Sequence, residues 1–577
     1  VSNITFLTTA LEEEEVDPVP PTSAVDENGK LPAITMDNDG TLKTKDVSMV
    51  TKDMGSDAPT NRLATQIGPD LVPSAHYAED ARNVAAGVAG RIVGKAKPFK
   101  PTPKMLGKIE SMVTQFKHDV LTPEMVAEWA SLHTDIASIA SGKWTIETLE
   151  RSIDDLLNVG VGAEELRWAA KVKDEVLPDR GKAPRLVLDC GPSGQLMSLA
   201  VVHCLEWCVS HYFSSTNIKH KGKYDAVKQI FSRLNGVQGR VLEGDGKSWD
   251  TTVSPELRHA LEDKLIIRVA ELLFENGDAA GTLLSWVTAG LSDRAKNKRS
   301  VTYRKSKQFA FLILRAFRAS GDRGTSILNW IVNFVVWACV ILDKPHVAVS
   351  CPDQTIFKND NGETVTFARG MEGDDSVVKT DSALTNEEIV AIWDSLGFTM
   401  ELQEREGGQH VVFVGLTAYV TPQGFISDVF LPEPNRNVAS ASWTLKEGPP
   451  EQYALSFAAR AAFFSNHPPL ANYFRACGRH WWQQSEGVRT QLSRDDQYRL
   501  FGDYDTKRTD TFERLSEVKM CPELADDIAL EVTRKLIEAY CGEAMTIDQE
   551  AVLLSLDVVR PEDAEYLRGC FPPGMLQ

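Results

Sequence analysis

The stretch from Phe367 to Thr380, FARGMEGDDSVVKT, constrains the fold more than any other part of the chain. A β-rich run, a tight Gly-Asp-Asp turn and a second β-rich run specify a hairpin whose tip carries two adjacent carboxylates, Asp374 and Asp375. Adjacent Asp side chains repel, and crowding them is costly unless a cation neutralises them. Mg²⁺ suits such a tip because it takes hard oxygen ligands and keeps waters and substrate phosphates in its shell. A Gly-Asp-Asp is also an ordinary turn, so its meaning depends on what else the chain carries.

Three other segments carry chemistry. In LEGDGKSWDTTVSPEL a β-run ends at Asp245, a further candidate metal ligand, and Asp250 follows five residues later, before a helix predicted from Ser254, Pro255 and Glu256. In FRASGDRGTSILNWIVNF, a Ser320-Gly turn precedes Thr325 and Asn329, which one helical turn places on the same face of a very apolar helix. Asn329 and Asn333 then need polar partners in the interior. In RWAAKVKDEVLPDRGKAPRLVLD, Lys171, Lys173, Arg180, Lys182 and Arg185 form a basic ribbon. Arg binds phosphate by its bidentate fork and Lys as a point charge, although a charge run is also a common solvated face.

Net charge at first argues against a polyanion partner. The 577 residues hold 62 Lys plus Arg against 81 Asp plus Glu, a formal charge of -19. The excess lies at the ends: residues 1–80 carry 15 acids and 5 bases, and residues 494–577 carry 19 acids and 10 bases. Residues 81–493 are therefore neutral, with dense basic blocks inside them. One block runs from Arg91 through Lys95, Lys97, Lys100, Lys104 and Lys108 and reads as a linker or as a phosphate-contacting loop. Another, DRAKNKRSVTYRKSKQ, includes Lys296, Lys298 and Arg299.

At 42% hydrophobic and 25% charged, the composition is that of an ordinary globular protein of several lobes. Residues 1–75 are acidic, rich in Pro, Ser and Thr and without apolar periodicity, which predicts disorder. Helical patterns cover 122–176, 195–213 and 255–275, with Thr122 and Pro123 as an N-cap and N1 pair. β-rich runs occupy 185–189, 239–244, 309–314, 364–369, 376–379 and 411–416, and helices dominate after about residue 430. This is an α+β chain. The nine cysteines form no CxxC pair, so reduced packing residues in an intracellular compartment are expected. The first residues lack a signal-peptide pattern, and the opening Val suggests a processed or truncated product. The longest apolar stretch, Ile327 to Leu342, has 16 residues, short of the roughly 20 needed to span a bilayer, so a buried helix and no transmembrane segment are expected.

The series KDEVLPDRGKAPR, GDGKSWD, SGDRGTSILN and EGDD, in that order across about 171–380, resembles the fingers ribbon and first three palm motifs of the RNA-dependent RNA polymerases of positive-strand RNA viruses, in a tombusvirus-like or flavivirus-like style. Further on, LGFTMELQERE and VVFVGLTAYV resemble the two motifs that complete the palm, extending the likeness to about residue 420. The resemblance implies a right-hand polymerase that replicates a viral RNA genome by templated transfer of nucleotides from NTPs to an RNA 3′ end. It assigns residues 76–240 and 259–314 to fingers, 241–258 and 315–420 to palm, and 421–577 to thumb and an acidic C-terminal region; the acidic composition of 1–75 makes that segment peripheral and dispensable for catalysis.

Carried over residue by residue, the resemblance makes Asp245, Asp374 and Asp375 ligands of two Mg²⁺ ions, with Mn²⁺ as substitute. It gives Asp250 and Asn329 the NTP ribose, supported by Ser320 and Thr325. Arg180, Lys182 and Arg185 take the triphosphate, and Lys171, Lys173, Lys296, Lys298 and Arg299 contact RNA. The fourth palm motif of the family often carries a Lys as general acid; between Asp381 and Gly408 the only base here is Arg405, a poor proton donor, which leaves it as a candidate pyrophosphate stabiliser. Implied partners are template and nascent RNA, NTPs and other viral replication proteins, in a replication complex or particle in the host cytoplasm. Two rivals remain: a reverse transcriptase, disfavoured by the Asp250 and Asn329 pair, and a non-catalytic RNA-binding scaffold with a palm fold, disfavoured by the complete set of acids.

Overall fold

The computed structural model describes residues 41–43, 47–52, 61–64, 74–76, 81–92, 94–133, 139–140, 144–159, 168–177, 182–189, 191–219, 221–274, 298–305, 308–315, 318, 324–445, 447–464, 468–487 and 493. The fold is α+β, with mostly antiparallel sheets packed between helices; the one parallel pairing among the described strands joins Trp168–Val172 to Lys298–Lys305.

A single helix organises the interior. Apart from the stripe carrying Asn329 and Asn333, Thr325–Ile341 is apolar all round, the pattern of a helix enclosed on all sides, and each residue from Ile327 to Ile341 is buried. Around it pack the helices Pro103–Gln115, Gly191–Tyr212 and Glu262–Phe274, in one continuous core. Local signals set several boundaries. Thr122 caps the helix Pro123–Leu132 by accepting from the Met125 amide, as expected from the Thr-Pro pair. Thr385 and Glu388 form a reciprocal capping box on Asn386–Ser395.

The central sheet has five strands. In sequence order they are β8 (Arg240–Gly246), β11 (Ile356–Lys358), β12 (Thr364–Glu372), β13 (Asp375–Thr380) and β14 (Met400–Arg405), counting the strands from the N-terminus. In space the order is β11-β12-β13-β8-β14, all antiparallel. Alternation divides the three inner strands, β12, β13 and β8, between two cores. Leu242, Phe367, Met371 and Val378 face the helix Thr325–Ile341. Val241, Ala368 and Val377 face the helix Lys223–Asn235 and a three-stranded sheet of β15 (His410–Phe413), β16 (Leu416–Val420) and β17 (Ile426–Pro432).

Within the span 1–75, expected to be disordered, the described residues 41–43, 47–52, 61–62 and 74–75 lie in strands, a correction confined to those residues. Strands β1 (Thr41–Lys43) and β2 (Val47–Lys52) join a six-stranded sheet in the order β1-β2-β10-β9-β5-β7, with β5 at Trp168–Val172, β7 at Leu186–Asp189, β9 at Lys298–Lys305 and β10 at Gln308–Arg315. Strand β3 (Asn61–Arg62) pairs with β18 (Trp443–Thr444), and Trp481 Nε1 donates to the Leu63 carbonyl at 3.0 Å. Strand β4 (Ser74–His76) pairs with β6 (Glu175–Leu177). An acidic composition does not preclude strands whose hydrogen-bonding partners are supplied by remote segments. The helical pattern expected over 122–176 also overreaches, because β5 and β6 occupy its last part. The helices Pro450–Phe463 and Pro468–Gln483 pack together near the end of the described residues.

Candidate active site

Strands β12 and β13 pair through Glu372 and Asp375, leaving Gly373 and Asp374 as a two-residue hairpin loop. Gly373 has a φ of 60°, the left-handed value that the first position of such a loop requires and that glycine adopts without strain. On the neighbouring strand Ser376 pairs with Gly244. The next residues outward, Asp375 and Asp245, therefore stand side by side, about 5 Å apart at the backbone by ordinary strand spacing. The three carboxylates expected to act together, Asp245, Asp374 and Asp375, are collected at one end of the sheet.

Their electrostatics record the crowding. Burial, then the charges of Asp375, Asp250 and Asp245, pushes the Asp374 carboxyl up to about 7. Burial and Asp245 raise Asp375 to about 6, opposed by the nearby Arg436. Asp245 has an exposed surface, yet protein around its carboxyl and the charge of Glu401 raise it as well, opposed by Lys182. Groups that resist ionisation together are groups that a divalent cation stabilises together. Among the described residues no three His, Cys, Asp or Glu side chains already converge as a cage. Mg²⁺ needs none, since one or two carboxylates with waters and substrate phosphates suffice. The donor set is of hard oxygens and fits such an ion.

The helix Thr325–Ile341 holds this end of the sheet through three side chains spaced one turn apart. Asn329 Nδ2 donates to Asp250 Oδ1 at 3.0 Å. Asn333 Nδ2 donates to the carbonyls of Gly373, Asp374 and Asp375 at 3.2, 3.0 and 3.3 Å. Trp337 Nε1 donates to Ser376 Oγ at 3.0 Å, and that hydroxyl donates to the Gly244 carbonyl at 3.1 Å. The pairing of Asp250 with Asn329 is thus realised as a direct bond. Asn333 is the residue that sequence reasoning undervalued; it looked like a core polar group, and its bonds go to the acidic turn itself. The helix spacing 329, 333, 337 was the available signal.

Asp250 and Thr251 are braced from other directions. The Arg318 amide donates to the Asp250 carbonyl at 3.0 Å. The Arg318 guanidinium, 0% exposed, is ion-paired with Glu262, also 0% exposed. Ser248, just before Asp250, is one of two non-glycine residues with positive φ among those described, at 52°. Such conformations persist only where the surroundings impose them.

The remaining candidates divide. Lys182 is exposed and acts electrostatically on Asp245. Arg185 Nε lies 3.5 Å from Glu175 Oε1. Thr325 opens the long helix after Gly324. Lys171 is paired with Asp189 at 2.6 Å and Lys173 with Glu175 at 3.0 Å, so their charges are engaged within the ribbon. Arg405 donates through both Nε and a terminal nitrogen to Glu243 Oε2 at 2.9 Å, which fixes it on Glu243 and not on the three acids. Lys298 and Arg299 lie on β9; Arg180, Ser320 and Lys296 fall outside the described residues. The block from Arg91 to Lys108 largely meets internal partners: Lys97 pairs with Asp394, Lys104 with Asp343 at 3.5 Å, and Lys108 donates to the Cys339 carbonyl at 2.9 Å.

Residues 197–465, just under half of the chain, match the family model described as viral RNA-dependent RNA polymerase. The match includes the long helix, the hairpin and all three acids. A search of curated proteins finds no match. Among solved structures, an insertion-loop deletion mutant of the RNA-dependent RNA polymerase of a human picobirnavirus matches with a TM-score of 0.40 and 13% identity. That match covers 58% of this chain and 61% of the other, so the chain spans about three fifths of that relative's length.

Proposed function

We propose that this chain is a viral RNA-directed RNA polymerase that adds nucleotides from NTPs to an RNA 3′ end under the direction of an RNA template. The observation that carries the reading is the apposition of Asp245, Asp374 and Asp375 at one end of β8 and β13, beside a hydrogen-bonded Asp250–Asn329 pair. Two Mg²⁺ ions, or Mn²⁺ in their place, would when bound activate the 3′-hydroxyl and steady the leaving pyrophosphate. Asp245 and Asp374, with Asp375, would hold them.

The chain's own residues do the rest by position. Asn329 Oδ1 is buried without a hydrogen-bond partner, while Nδ2 of the same side chain is committed to Asp250. A ribose 2′-hydroxyl can donate to that oxygen, whereas a deoxyribose leaves it unsatisfied, which is how a polar site rejects the lesser ligand. Lys182 and Arg185, with Arg180, neutralise the triphosphate. Because phosphoryl transfer relies on placement and charge compensation, this set covers its main needs. Arg405 contributes indirectly, by neutralising Glu243, whose charge would otherwise add to that around Asp375.

The division into fingers over 76–240 and 259–314, palm over 241–258 and 315–420 and thumb from 421 belongs to the same proposal, with strands β1 and β2 now added to the fingers side. So do the basic strand β9 as an RNA-channel wall, a positive-strand genome of tombusvirus-like or flavivirus-like style, viral replication partners and a replication complex or particle in the host cytoplasm. No helix among the described residues is long and apolar enough to cross a membrane.

The test is extension of a primer on an RNA template by purified protein with Mg²⁺, offering NTPs or dNTPs. Wild type should extend with NTPs and strongly prefer them, and Asp374→Asn should abolish extension while RNA binding persists. Full activity of Asp374→Asn, or a preference for dNTPs, would overturn the assignment.

A further inference from the structure

The helix Ala81–Arg91 ends with a guanidinium aimed at the backbone of the basic ribbon. Arg91 Nε donates to the carbonyls of Ala183 and Pro184 at 2.9 and 3.0 Å, and a terminal nitrogen donates to Ala183 again at 2.8 Å. One residue earlier in the ribbon, His76 Nε2 donates to the Lys182 carbonyl at 2.8 Å. Three consecutive carbonyls are therefore gripped from outside the ribbon. The approach is close: a Cβ on Gly90 would lie 2.3 Å from Ala183 Cβ, so only glycine fits there. On its other side, the Arg91 carbonyl accepts from Thr251 Oγ1 at 2.8 Å. Thr251 adjoins Asp250, whose carboxylate is held by Asn329.

A single residue thus bonds both to the strip of chain that carries Lys182 and Arg185 and to the strip that carries Asp250. We propose that Arg91 is a positioning residue for the incoming nucleotide, fixing the triphosphate-binding ribbon at a set distance from the ribose-sensing Asp250. The proposal rests on the polymerase reading of this site. A guanidinium suits the task because its rigid fork satisfies two adjacent carbonyls at once, which a lysine ammonium cannot do with the same geometry. Its charge also lies beside that of Arg185, and this repulsion, partly offset by Glu175, is relieved when a triphosphate arrives.

The test uses the full-length protein in steady-state primer extension. Arg91→Lys keeps the charge and loses the fork; it should raise the KM for NTP about tenfold, the effect of losing one hydrogen bond to a charged group, with kcat within about threefold. Inorganic tripolyphosphate, a competitive probe of the ribbon alone, should lose affinity by the same factor, while template RNA binding and Tm stay near wild type. Thr251→Val, which cuts the other link, should instead narrow the preference for NTP over dNTP. Unchanged KM and tripolyphosphate inhibition in Arg91→Lys would overturn the proposal, as would a parallel fall of kcat, RNA binding and Tm, which marks a merely structural residue. An inactive wild type would overturn the polymerase reading itself, a result distinct from an active wild type with an indifferent Arg91→Lys.

Discussion

Replacing Asn333 by leucine isolates what one amide contributes to the acidic turn. The side chain is 0% exposed, and its two N–H groups serve the carbonyls of Gly373, Asp374 and Asp375. Leucine has the same number of side-chain heavy atoms in a bulkier, branched shape, so no cavity arises, but carbonyls that were bonded lose their donor. Leaving a buried acceptor unsatisfied costs about 1–3 kcal/mol. Two hydrogens can make two good bonds at a time, so the expected loss is about 2–6 kcal/mol of stability. The larger effect falls on turnover: a turn freed to shift by about 1 Å misplaces Asp374 and Asp375, and displacements of that size cost on the order of 100-fold in rate. Asn333→Asp should be worse than Asn333→Leu, because it sets an acceptor against three carbonyls and adds a charge to a cluster that already resists ionisation. Denaturant titration and single-turnover primer extension report the two effects separately. Asn333→Leu with kcat within about threefold of wild type, or Asn333→Asp more active than Asn333→Leu, would refute the reasoning.

Three other perturbations test the framework. Glu262→Gln removes a buried carboxylate that pairs with both Arg318 and Arg258, and breaking such a buried pair from one side costs about 3–5 kcal/mol, which chemical denaturation should register. His76 is buried, which lowers its pKa from 6.5 to about 4. The folded protein therefore binds fewer protons than the unfolded chain between those values, and stability should be level above about pH 6.5 and fall as pH drops toward 4, by about 3 kcal/mol at most. His76→Gln should flatten that part of a Tm-against-pH profile. Deleting residues 1–75, dispensable on composition alone, removes β1 to β3 and most of β4 and exposes the edge of β10, so a lowered Tm is expected; an unchanged Tm would show that these pairings contribute nothing.

What the sequence made legible was chemistry carried by neighbours along the chain. The acidic hairpin could be read because its two strands are joined by the turn that matters, and the Asn329 position because helical periodicity is a local rule. Strand β14, by contrast, reads Met-Glu-Leu-Gln-Glu-Arg; its alternate residues face charged groups such as Glu243, so it lacks a strong apolar signature. Strand β2 was hidden for a different reason. Its partner β10 lies more than 250 residues away, and no local composition reports a pairing that distant. The basic block at Arg91 was visible as charge, but charge alone does not distinguish a side chain that meets phosphate from one that grips a carbonyl.

That distinction bears on how a neutral body with acidic ends binds a polyanion. Lys97, Lys104, Lys171 and Lys173 are paired with Asp or Glu in the folded chain, so the count of bases overstates the positive charge available to RNA. Lys182 is exposed beside Asp245, and Arg436 is exposed and acts on Asp375. Field at the site is then set mainly by a few cations close to the acids, where low dielectric magnifies each one, and not by the total of -19. Salt should therefore weaken template binding less steeply than the 62 basic residues suggest. The slope of log affinity against log salt concentration measures how many phosphates are neutralised, and a steep slope that persists after charge reversal at Lys182 and Arg436 would place the dominant RNA contacts elsewhere, with β9 the first segment to examine.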